Sequence, residues 1–377
     1  MIGIGINGVV LRVKNNALGE VGSIPVLGKK LENWVADSTS VPCVMLDSSP
    51  VINLAEKLKS VVDKSKPVTV ILYCDTPLIT AGAVEKAVNS LTEQKANAVK
   101  LPRGVVFKTE YLMDADTFYP QEPSEGCDAI ADGESLSRIT DVMRRRILNY
   151  HSKNGVIVYD FQNTYIDCDV VIDKGVTIEP YNFIKGKTII KEGAVIKPGN
   201  YIENCIIGGN VTIDSSRLYD SLIGADTRVG PFAYIRPNTV VGRGCRIGDF
   251  VELKNCVIGD DCKVSHLTYI GDAELGKECN VGCGVVFANY DGKNKFRSMV
   301  GDRVFIGSNA NIVAPVNIAD RAFIAAGSTI TKEVPSQALA VARARQTMIP
   351  DWRGNHYAPP EAKNSAYDNG LNGDKPE

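Results

Sequence analysis

One histidine of this chain stands where its imidazole could transfer protons. His266 lies in the phrase SHLTYIGD, whereas the other two histidines lie outside any such motif. An imidazole exchanges its proton near neutral pH, which suits it to act as a general base. The ordinary alternative for an isolated histidine is a solvated surface residue. The sequence around His266 must therefore decide between the two.

Three cationic side chains could bind an anion. Arg236, Lys254 and Lys295 lie outside the recurring aliphatic positions described below, so we expect them to point outward. Guanidinium and ammonium groups are the usual protein partners of phosphate. Taken singly, each would more commonly be a solvated charge.

A carboxylate, Asp75, follows the apolar segment VTVILYC and precedes a helical pattern. Carboxylates at the carboxyl ends of strands often bind ligands or metals in open α/β sheets. A glycine run, Gly3, Gly5 and Gly8, spells G-x-G-x-x-G near the start of the chain. Too few residues precede it, and no helix follows it, so a strand or hairpin is favoured over a nucleotide loop.

An aliphatic residue returns at every sixth position in much of the second half, as at Val229, Ile235 and Val241. A small side chain usually follows four positions later, and we place the following residues inside the fold: Ala233, Thr239, Cys245, Val251 and Val257. A period of six fits neither a helix nor a flat strand and indicates a parallel β-helix. Three six-residue faces make a coil of about 18 residues, so residues 166–330 predict roughly nine coils.

This spacing also orients the candidate base. Val264 and Thr268 fall on inward positions, so His266 points outward, where a substrate can reach it. The same spacing places Cys245, Cys262 and Cys279 inside as small hydrophobic residues. The chain has ten cysteines but no CxxC pair, which disfavours a disulfide framework or a zinc site.

The first 130 residues alternate between strand and helix patterns, which predicts a mostly parallel α/β sheet. We expect strands at 2–6, 9–13, 42–46 and 68–73, and helices at 54–64 and 81–93. A further helix is predicted at 133–152, with Arg144, Arg145 and Arg146 on solvated faces and His151 solvated at its end.

Composition restricts the possible partners. The net charge of −2 gives no basic field for nucleic acid. No apolar run approaches the ~18 residues of a membrane span, and the first residues do not read as a secretory signal. We therefore expect a cytoplasmic protein that contacts neither nucleic acid nor membrane.

Residues 153–346 resemble the acetyltransferase half of the bacterial bifunctional enzyme family that makes UDP-N-acetylglucosamine. The resemblance rests on these phrases: NGVIVYDFQNTYID, GPFAYIRP, GDFVELK, SHLTYIGDAELG, NVGCG, NYDGKNK, FIGSNANIVAPV, IAAGSTIT and ARARQ. It implies a left-handed β-helix, a homotrimer with active sites between subunits, and acetyl-CoA-dependent N-acetylation of glucosamine 1-phosphate, an amino-sugar phosphate.

The resemblance also implies roles for individual residues. His266 matches the general base. The matches for substrate binding are Arg236, Lys254, Tyr269, Asn280 and Lys295. The matches for acetyl-CoA binding are Cys283, Asn289, Tyr290, Ser308, Ala326 and Arg343.

The first domain resembles sugar-phosphate nucleotidyltransferases more weakly. LYCDTPL is similar to the family phrase LYGDxPL, in which the aspartate holds Mg²⁺, and this makes Asp75 a candidate metal ligand or a remnant of one. The family's glycine-rich phosphate loop is absent, and residues 97–132 are too few for its sugar-binding half. We therefore expect a shortened, degenerate domain.

The predicted organisation has four parts. A nucleotidyltransferase-like α/β domain spans 1–132, a linker helix spans 133–152, a left-handed β-helix spans 153–346, and a tail spans 347–377. The leading hypothesis is an N-acetyltransferase without uridylyltransferase activity. The alternatives are the full bifunctional enzyme, which would also transfer uridylyl from UTP, and a non-catalytic trimeric scaffold that binds a sugar phosphate.

Overall fold

A computed structural model describes residues 5–40, 42–49 and 51–352. Gly3 and residues 353–377 of the predicted tail lie outside the described residues. The N-terminal domain is built on a five-stranded sheet of order β2-β1-β3-β5-β4. Its strands are β1 (Ile6–Arg12), β2 (Cys43–Asp47), β3 (Val68–Tyr73), β4 (Ala98–Leu101) and β5 (Gly104–Lys108).

The sheet is mostly parallel, as predicted, because β1, β2, β3 and β4 run in the same direction and β5 runs opposite to them. Strand β1 runs parallel to β2 and β3, whereas β5 runs antiparallel to both β3 and β4. The antiparallel pair arises because β4 and β5 are joined by a tight turn that leaves no room for a crossover helix. Residues 2–4 of the first predicted strand lie outside the described residues; from Ile6 onward a single strand, β1, covers most of the predicted strand 9–13 and contains Gly8 as a paired residue.

Helices cover both faces of this sheet. The domain helices are α1 (Leu31–Asp37), α2 (Leu54–Val61), α3 (Ala81–Glu93) and α4 (Thr109–Asp114). The core on one face takes Leu31 from α1 and Val88 from α3, and the core on the other takes Leu58 from α2 and Leu112 from α4. The remaining short elements are the hairpins Lys14–Asn15 with Gly19–Glu20 and Pro25–Val26 with Lys29–Lys30, and 3₁₀ turns at Val21–Ser23 and Val51–Asn53.

A long helix, α5 (Gly133–Lys153), joins the two halves. Asp132 caps its first turn, because its carboxylate accepts from the Ser135 amide at 2.8 Å. Ile139 packs in the core of the N-terminal domain, whereas Leu148 packs in the core of the β-helix. One helix therefore contributes to both cores.

Two residues of α5 are buried, contrary to the sequence prediction. Arg144 donates hydrogen bonds to the carbonyls of Phe161 and Thr164 and lies over the Tyr165 ring. His151 is 4% exposed, and burial lowers the pKa of its imidazole. The helical pattern did not reveal the burial of Arg144 because its partners lie in the first coil of the second half, which a local periodicity cannot detect.

The second half is a parallel β-helix with three faces. Face 1 contains Ile157–Val158, Thr177–Ile178, Val195–Ile196, Thr212–Ile213, Arg228–Val229, Asn280–Val281, Phe305–Ile306, Phe323–Ile324 and Leu339–Ala340. Face 2 contains Tyr165–Ile166, Phe183–Lys185, Tyr201–Glu203, Arg217–Tyr219, Tyr234–Ile235, Val286–Ala288, Asn311–Val313 and Thr329–Ile330. Face 3 contains Val171–Ile172, Ile189–Ile190, Ile206–Ile207, Ser221–Ile223, Thr239–Val241, Val257–Ile258, Ala273–Leu275, Ser298–Val300 and Asn317–Ile318.

Two long strands, Arg246–Lys254 and Lys263–Gly271, turn the corner from face 1 to face 2 without interruption. Face 3 forms a nine-stranded sheet, in line with the roughly nine coils predicted from the repeat. The hexad aliphatic residues form one continuous buried column, and Ile235, Val241 and Ile270 are each 0% exposed. Burying each such side chain contributes about 1.5–3 kcal/mol.

One inward position was predicted wrongly. Val257 is 38% exposed, and Cys256 is buried in its place. This coil is one residue shorter than a strict six-residue repeat. The small inward residue is therefore three positions after Leu253, at Cys256, and not four. The prediction for Cys245, Cys262 and Cys279 is confirmed, because all three are buried.

Candidate active site

A row of exposed side chains runs along the corner between face 1 and face 2. We call it the corner column, and it consists of His266, Cys283, Ser308, Ala326 and Arg343. Backbone bonds place these residues on successive coils: Gly284 N to Leu267 O at 2.9 Å, Asn309 N to Cys283 O at 2.8 Å, and Gly327 N to Ser308 O at 2.8 Å. Neighbouring strands lie about 4.8 Å apart, so the column spans roughly 19 Å.

Arg343 lies at the end of the corner column opposite to His266. Its guanidinium donates to the Ala326 carbonyl at 2.8 Å, which fixes the side chain against the preceding coil. The column thus places a base candidate at one end and a cation at the other. This geometry suits a long, extended ligand with an anionic end.

The imidazole of His266 contacts a carboxylate on the adjacent coil. Its Nδ1 lies 2.7 Å from Oδ1 of Asp249, and the two residues are direct partners in the sheet. The His266 side chain is 62% exposed, as the inward burial of Val264 and Thr268 predicted. The hydrogen bond to His266 is the main cause that lowers the pKa of Asp249.

A second group lies at the other edge of face 2, where it meets face 3. We call it the cationic group, and it consists of Arg236, Lys254 and Lys295. The neighbouring Lys295 ammonium is the main cause that lowers the pKa of Lys254, with burial and the Arg236 charge adding to it. Like charges held this close disfavour each other's ionised form. A bound anion would relieve that repulsion.

Arg236 is also held in place by its neighbours. Its Nη1 donates to Oε1 of Glu252 at 2.8 Å, and its guanidinium carbon lies 5.7 Å from the centre of the Tyr234 ring. Arg236 and Glu252 are about one-third exposed, so the guanidinium keeps access to solvent. Its remaining N–H groups can therefore still meet a ligand.

A buried polar network orients the residues beside the cationic group. The amide of Asn289 donates to the carboxylate of Asp272, whose other oxygen accepts from Asn255 at 2.5 Å. The Tyr269 hydroxyl lies over Gly271, and a Cβ at position 271 would collide with it and approach the Asn289 amide. Gly271 therefore leaves the space that Tyr269 needs to lie beside Asn289.

An eight-residue extension of the coil begins at Tyr290. Asn280 pairs with Phe305 across 25 positions, whereas Lys263 pairs with Asn280 across 17. The Tyr290 hydroxyl donates to the Gly292 carbonyl at 2.6 Å, and a backbone bridge joins Tyr290 to Lys295. This loop carries Lys295 to the cationic group.

The predicted site residues thus divide between the two edges of face 2. The corner column, with Asn280 beside it on face 1, lies at one edge. The cationic group, with Tyr269, Asn289 and Tyr290, lies at the other. Along the strand Lys263–Gly271, His266 precedes the bend, whereas Gly271, the sheet partner of Lys254, ends the face. A single chain does not bring the base next to all of the cations.

Asp75 in the N-terminal domain does not fit a metal site. Arg103 donates to both carboxylate oxygens, from Nε at 3.3 Å and from Nη2 at 2.8 Å. Both side chains are 7% exposed, and the guanidinium also lies 4.3 Å from the centre of the Tyr73 ring. Burial raises the pKa of Asp75, and Arg103 offsets part of that effect.

The guanidinium therefore occupies the place where a cation would meet Asp75. Within the described ranges, no cluster of three or more His, Cys, Asp or Glu side chains could hold a metal ion.

Several residues of the site were missed in the sequence. Asp249 lies 17 positions before His266, which is one coil, and comparing outward positions on adjacent coils would have found it. Gly271 and Asp272 lie two and three positions after Tyr269. Their role depends on a contact with the extended loop, for which the hexad pattern gives no signal.

Comparison with known protein families supports the coiled architecture. The bacterial transferase hexapeptide family (six repeats) matches residues 297–332, and the GMPPB C-terminal domain family matches residues 217–291. The second half is a hexapeptide-repeat β-helix. This hexapeptide domain has the architecture of the left-handed β-helices, as predicted.

Curated relatives match more of the chain. The bifunctional protein GlmU of Clostridium kluyveri is 50% identical over 251 residues, which cover 64% of this chain and 55% of that protein. GlmU of Clostridioides difficile is 50% identical over 217 residues, which cover 58% of this chain and 47% of that protein. The chain therefore spans about half the length of the curated relatives it matches.

A solved structure, the Arabidopsis UDP-N-acetylglucosamine acyltransferase, is 19% identical with a TM-score of 0.34 and covers 49% of this chain and 69% of its own. Separately, none of the helices in the described part of the chain is both long and apolar enough to span a membrane.

Proposed function

We propose that the hexapeptide domain transfers an acetyl group from acetyl-CoA to the amine of glucosamine 1-phosphate, in the synthesis of UDP-N-acetylglucosamine. The observation that carries the proposal is the corner column, which places the candidate base and four predicted cofactor residues on successive coils. The similarity to GlmU supports the same reaction class.

In this proposal, acetyl-CoA lies along the corner column. Arg343 meets an anionic part of CoA, and Ser308, Ala326 and Cys283 line the path toward His266. When bound, acetyl-CoA supplies the activated thioester. The protein contributes a rigid corner that orients this thioester beside the imidazole, and such orientation is a large part of the rate enhancement in two-substrate reactions.

The cationic group is proposed to bind the sugar phosphate. Arg236, Lys254 and Lys295 neutralise the phosphate and Tyr269 contacts the sugar, whereas Asn289 and Tyr290 at the same edge keep their predicted role as acetyl-CoA contacts. Asn280, beside the corner column, contacts the amine side of the substrate. His266 then accepts the proton that the amine loses as the new C–N bond forms.

The direct test measures thiol release from acetyl-CoA with a panel of amino-sugar phosphates. We expect thiol release with glucosamine 1-phosphate and little with glucosamine, because the unphosphorylated sugar offers the cationic group no anion. UTP with N-acetylglucosamine 1-phosphate and Mg²⁺ should give no pyrophosphate, because Arg103 already pairs with Asp75. No thiol release with any amino-sugar phosphate would reject acetyl transfer, and pyrophosphate formation would favour the bifunctional alternative.

We further propose that the enzyme is a homotrimer in which the corner column of one subunit faces the cationic group of the next. The separation of the two groups on one chain supports this arrangement. Closed cyclic symmetry would repeat the same contact three times.

Mixed trimers test the shared site. We expect His266→Ala and Lys254→Ala, each inactive as a homotrimer, to regain activity when co-expressed and purified as mixed trimers through two different tags. About one site in three would then combine an intact base with an intact cationic group. If both groups came from one chain, every site of a mixed trimer would carry a defect, and mixing would restore nothing. Homotrimers that are combined without subunit exchange provide the control.

A further inference from the structure

We propose that Asp249 is a positioning residue for the acetyl transfer proposed above: its carboxylate accepts Nδ1–H of His266 and keeps Nε2 free to accept the substrate proton. The inference rests on that proposed function, but the contact itself does not depend on the identity of the substrate. No sequence motif had marked Asp249 for a role.

The position of Asp249 follows from the coil geometry. Asp249 and His266 are paired residues on the two long strands that turn the corner between face 1 and face 2. The residue after each of them has a positive φ, 54° at Phe250 and 38° at Leu267. Bulky residues adopt this conformation rarely and only where the surroundings impose it. The two backbone bends are thus matched, which aligns the side chains on adjacent rungs.

The protonation pattern follows from the chemistry of the pair. The hydrogen bond from His266 holds the pKa of Asp249 below its usual value, so the carboxylate is ionised at neutral pH. An ionised carboxylate can only accept hydrogen bonds. Nδ1 must therefore carry the hydrogen across the 2.7 Å contact, and in the neutral imidazole the lone pair is then on Nε2.

The other residues next to His266 along the corner, in the part of the chain that the structure describes, carry no carboxylate that could accept its Nδ1–H. Cys283 occupies the rung above His266, and Pro231 lies one rung below Asp249. Among the described residues, the ion pair recorded for His266 is the one with Asp249. The carboxylate therefore fixes the ring through Nδ1, and the side chain remains 62% exposed to solvent.

The proposed step is balanced without a further reactant. As the amine nitrogen bonds to the acetyl carbon and the C–S bond breaks, Nε2 accepts the proton that leaves nitrogen. The thiolate of CoA then takes this proton from Nε2 and leaves as the thiol, which returns the imidazole to its neutral form. The hydrogen on Nδ1 stays in its bond to Asp249 throughout, which stabilises the positive imidazolium during the step.

The imidazole tautomer is the first readout. The chain has only three histidines, so a protein labelled with ¹⁵N-histidine gives few signals, and His266→Ala identifies those of His266. We expect wild-type His266 at neutral pH to carry its hydrogen on Nδ1 and Asp249→Ala to lose this preference. An Nε2–H tautomer in the wild type, or an unchanged tautomer in Asp249→Ala, would overturn the proposal. This readout needs no activity and is informative even if acetyl transfer fails.

Kinetics provide the second readout. Asp249→Ala should lower kcat by about 10–100-fold with KM nearly unchanged, because orientation of the base is lost while binding groups remain. Asp249→Asn should not restore the loss, because its amide can also donate to Nδ1 and allow the wrong tautomer, whereas Asp249→Glu keeps an acceptor-only carboxylate and should restore part of it. Asp226→Ala removes an exposed carboxylate that pairs with Arg243 on an earlier coil and should leave kcat unchanged. An Asp249→Ala enzyme with wild-type kcat would contradict the role.

Discussion

Replacing His266 with alanine should lower the kcat of acetyl transfer by about 10²–10⁴-fold, the usual cost of losing a general base. The side chain is 62% exposed, so the free energy of unfolding should change by less than about 0.5 kcal/mol. Binding of acetyl-CoA and of the sugar phosphate should persist, because the corner column and the cationic group retain their other members. The measurement is steady-state thiol release, with calorimetric titration of each ligand.

Two controls make this result specific. Lys191→Ala removes a similarly exposed cation, which pairs with Asp173 on an early coil, and should leave turnover unchanged. If His266→Ala retained more than about one tenth of wild-type turnover, His266 would not be the base. Full ligand binding with no turnover even in the wild type would instead favour the non-catalytic scaffold.

The largest effect on stability is expected at the buried pair of Asp75 and Arg103. Arg103→Ala should destabilise the N-terminal domain by about 3–5 kcal/mol, because it leaves a buried carboxylate without its partner. Arg103 also donates to the Gln121 carbonyl, so that contact is lost as well. Acetyl transfer should survive, since the pair lies in the sheet domain, away from both edges of face 2.

Tryptophan fluorescence can follow this domain separately. The chain has two tryptophans, and Trp352→Phe leaves Trp34, whose Nε1 donates to the Val26 carbonyl at 2.9 Å. Urea unfolding of Arg103→Ala in the Trp352→Phe protein should show the lower free energy of unfolding. As a control, Arg138→Ala breaks an exposed pair with Asp128 and should lower the free energy of unfolding by less than about 1 kcal/mol.

Replacing both Asp75 and Arg103 by apolar residues tests whether the unpaired charge causes the instability. Asp75→Leu combined with Arg103→Met removes the unpaired charge and should recover much of the stability that Arg103→Ala loses. If Arg103→Ala unfolded at the same urea concentration as its parent, the pair would have no structural importance. A magnesium-dependent stabilisation of the wild type would likewise reopen the metal role of Asp75.

The accuracy of the sequence predictions depends on how local each signal is. The hexads predicted the β-helix and the outward direction of His266, because burial alternates along one strand and needs no distant contact. Strand 68–73 and helix 81–93 were predicted at the observed bounds for the same reason. Among the positions predicted wrongly, Arg144 is buried by contacts with the loop around Phe161, whereas Val257 was misplaced because a one-residue contraction shifts the inward slot of the hexad.

For the functional residues as well, the sequence predicted what depends on local signals and missed what depends on distant contacts. The resemblance identified residues one at a time, but it could not indicate that they lie at two edges of one face. That separation depends on which residues precede or follow the bend at Leu267. Asp249 was missed because its partner lies a whole coil away, at a distance that varies with each contraction of the repeat.

Helix α5, which packs in both cores, also covers the first coil of the β-helix. A stack of coils has an open end, and its terminal aliphatic layer would meet water unless another element shields it. Leu148 supplies that shield, and Arg144 ties α5 to the loop around Phe161. Because α5 also packs into the N-terminal core, the first domain holds this cover in place whatever its own activity. We expect that removal of residues 1–153 would expose the terminal layer and cause the β-helices to associate end to end.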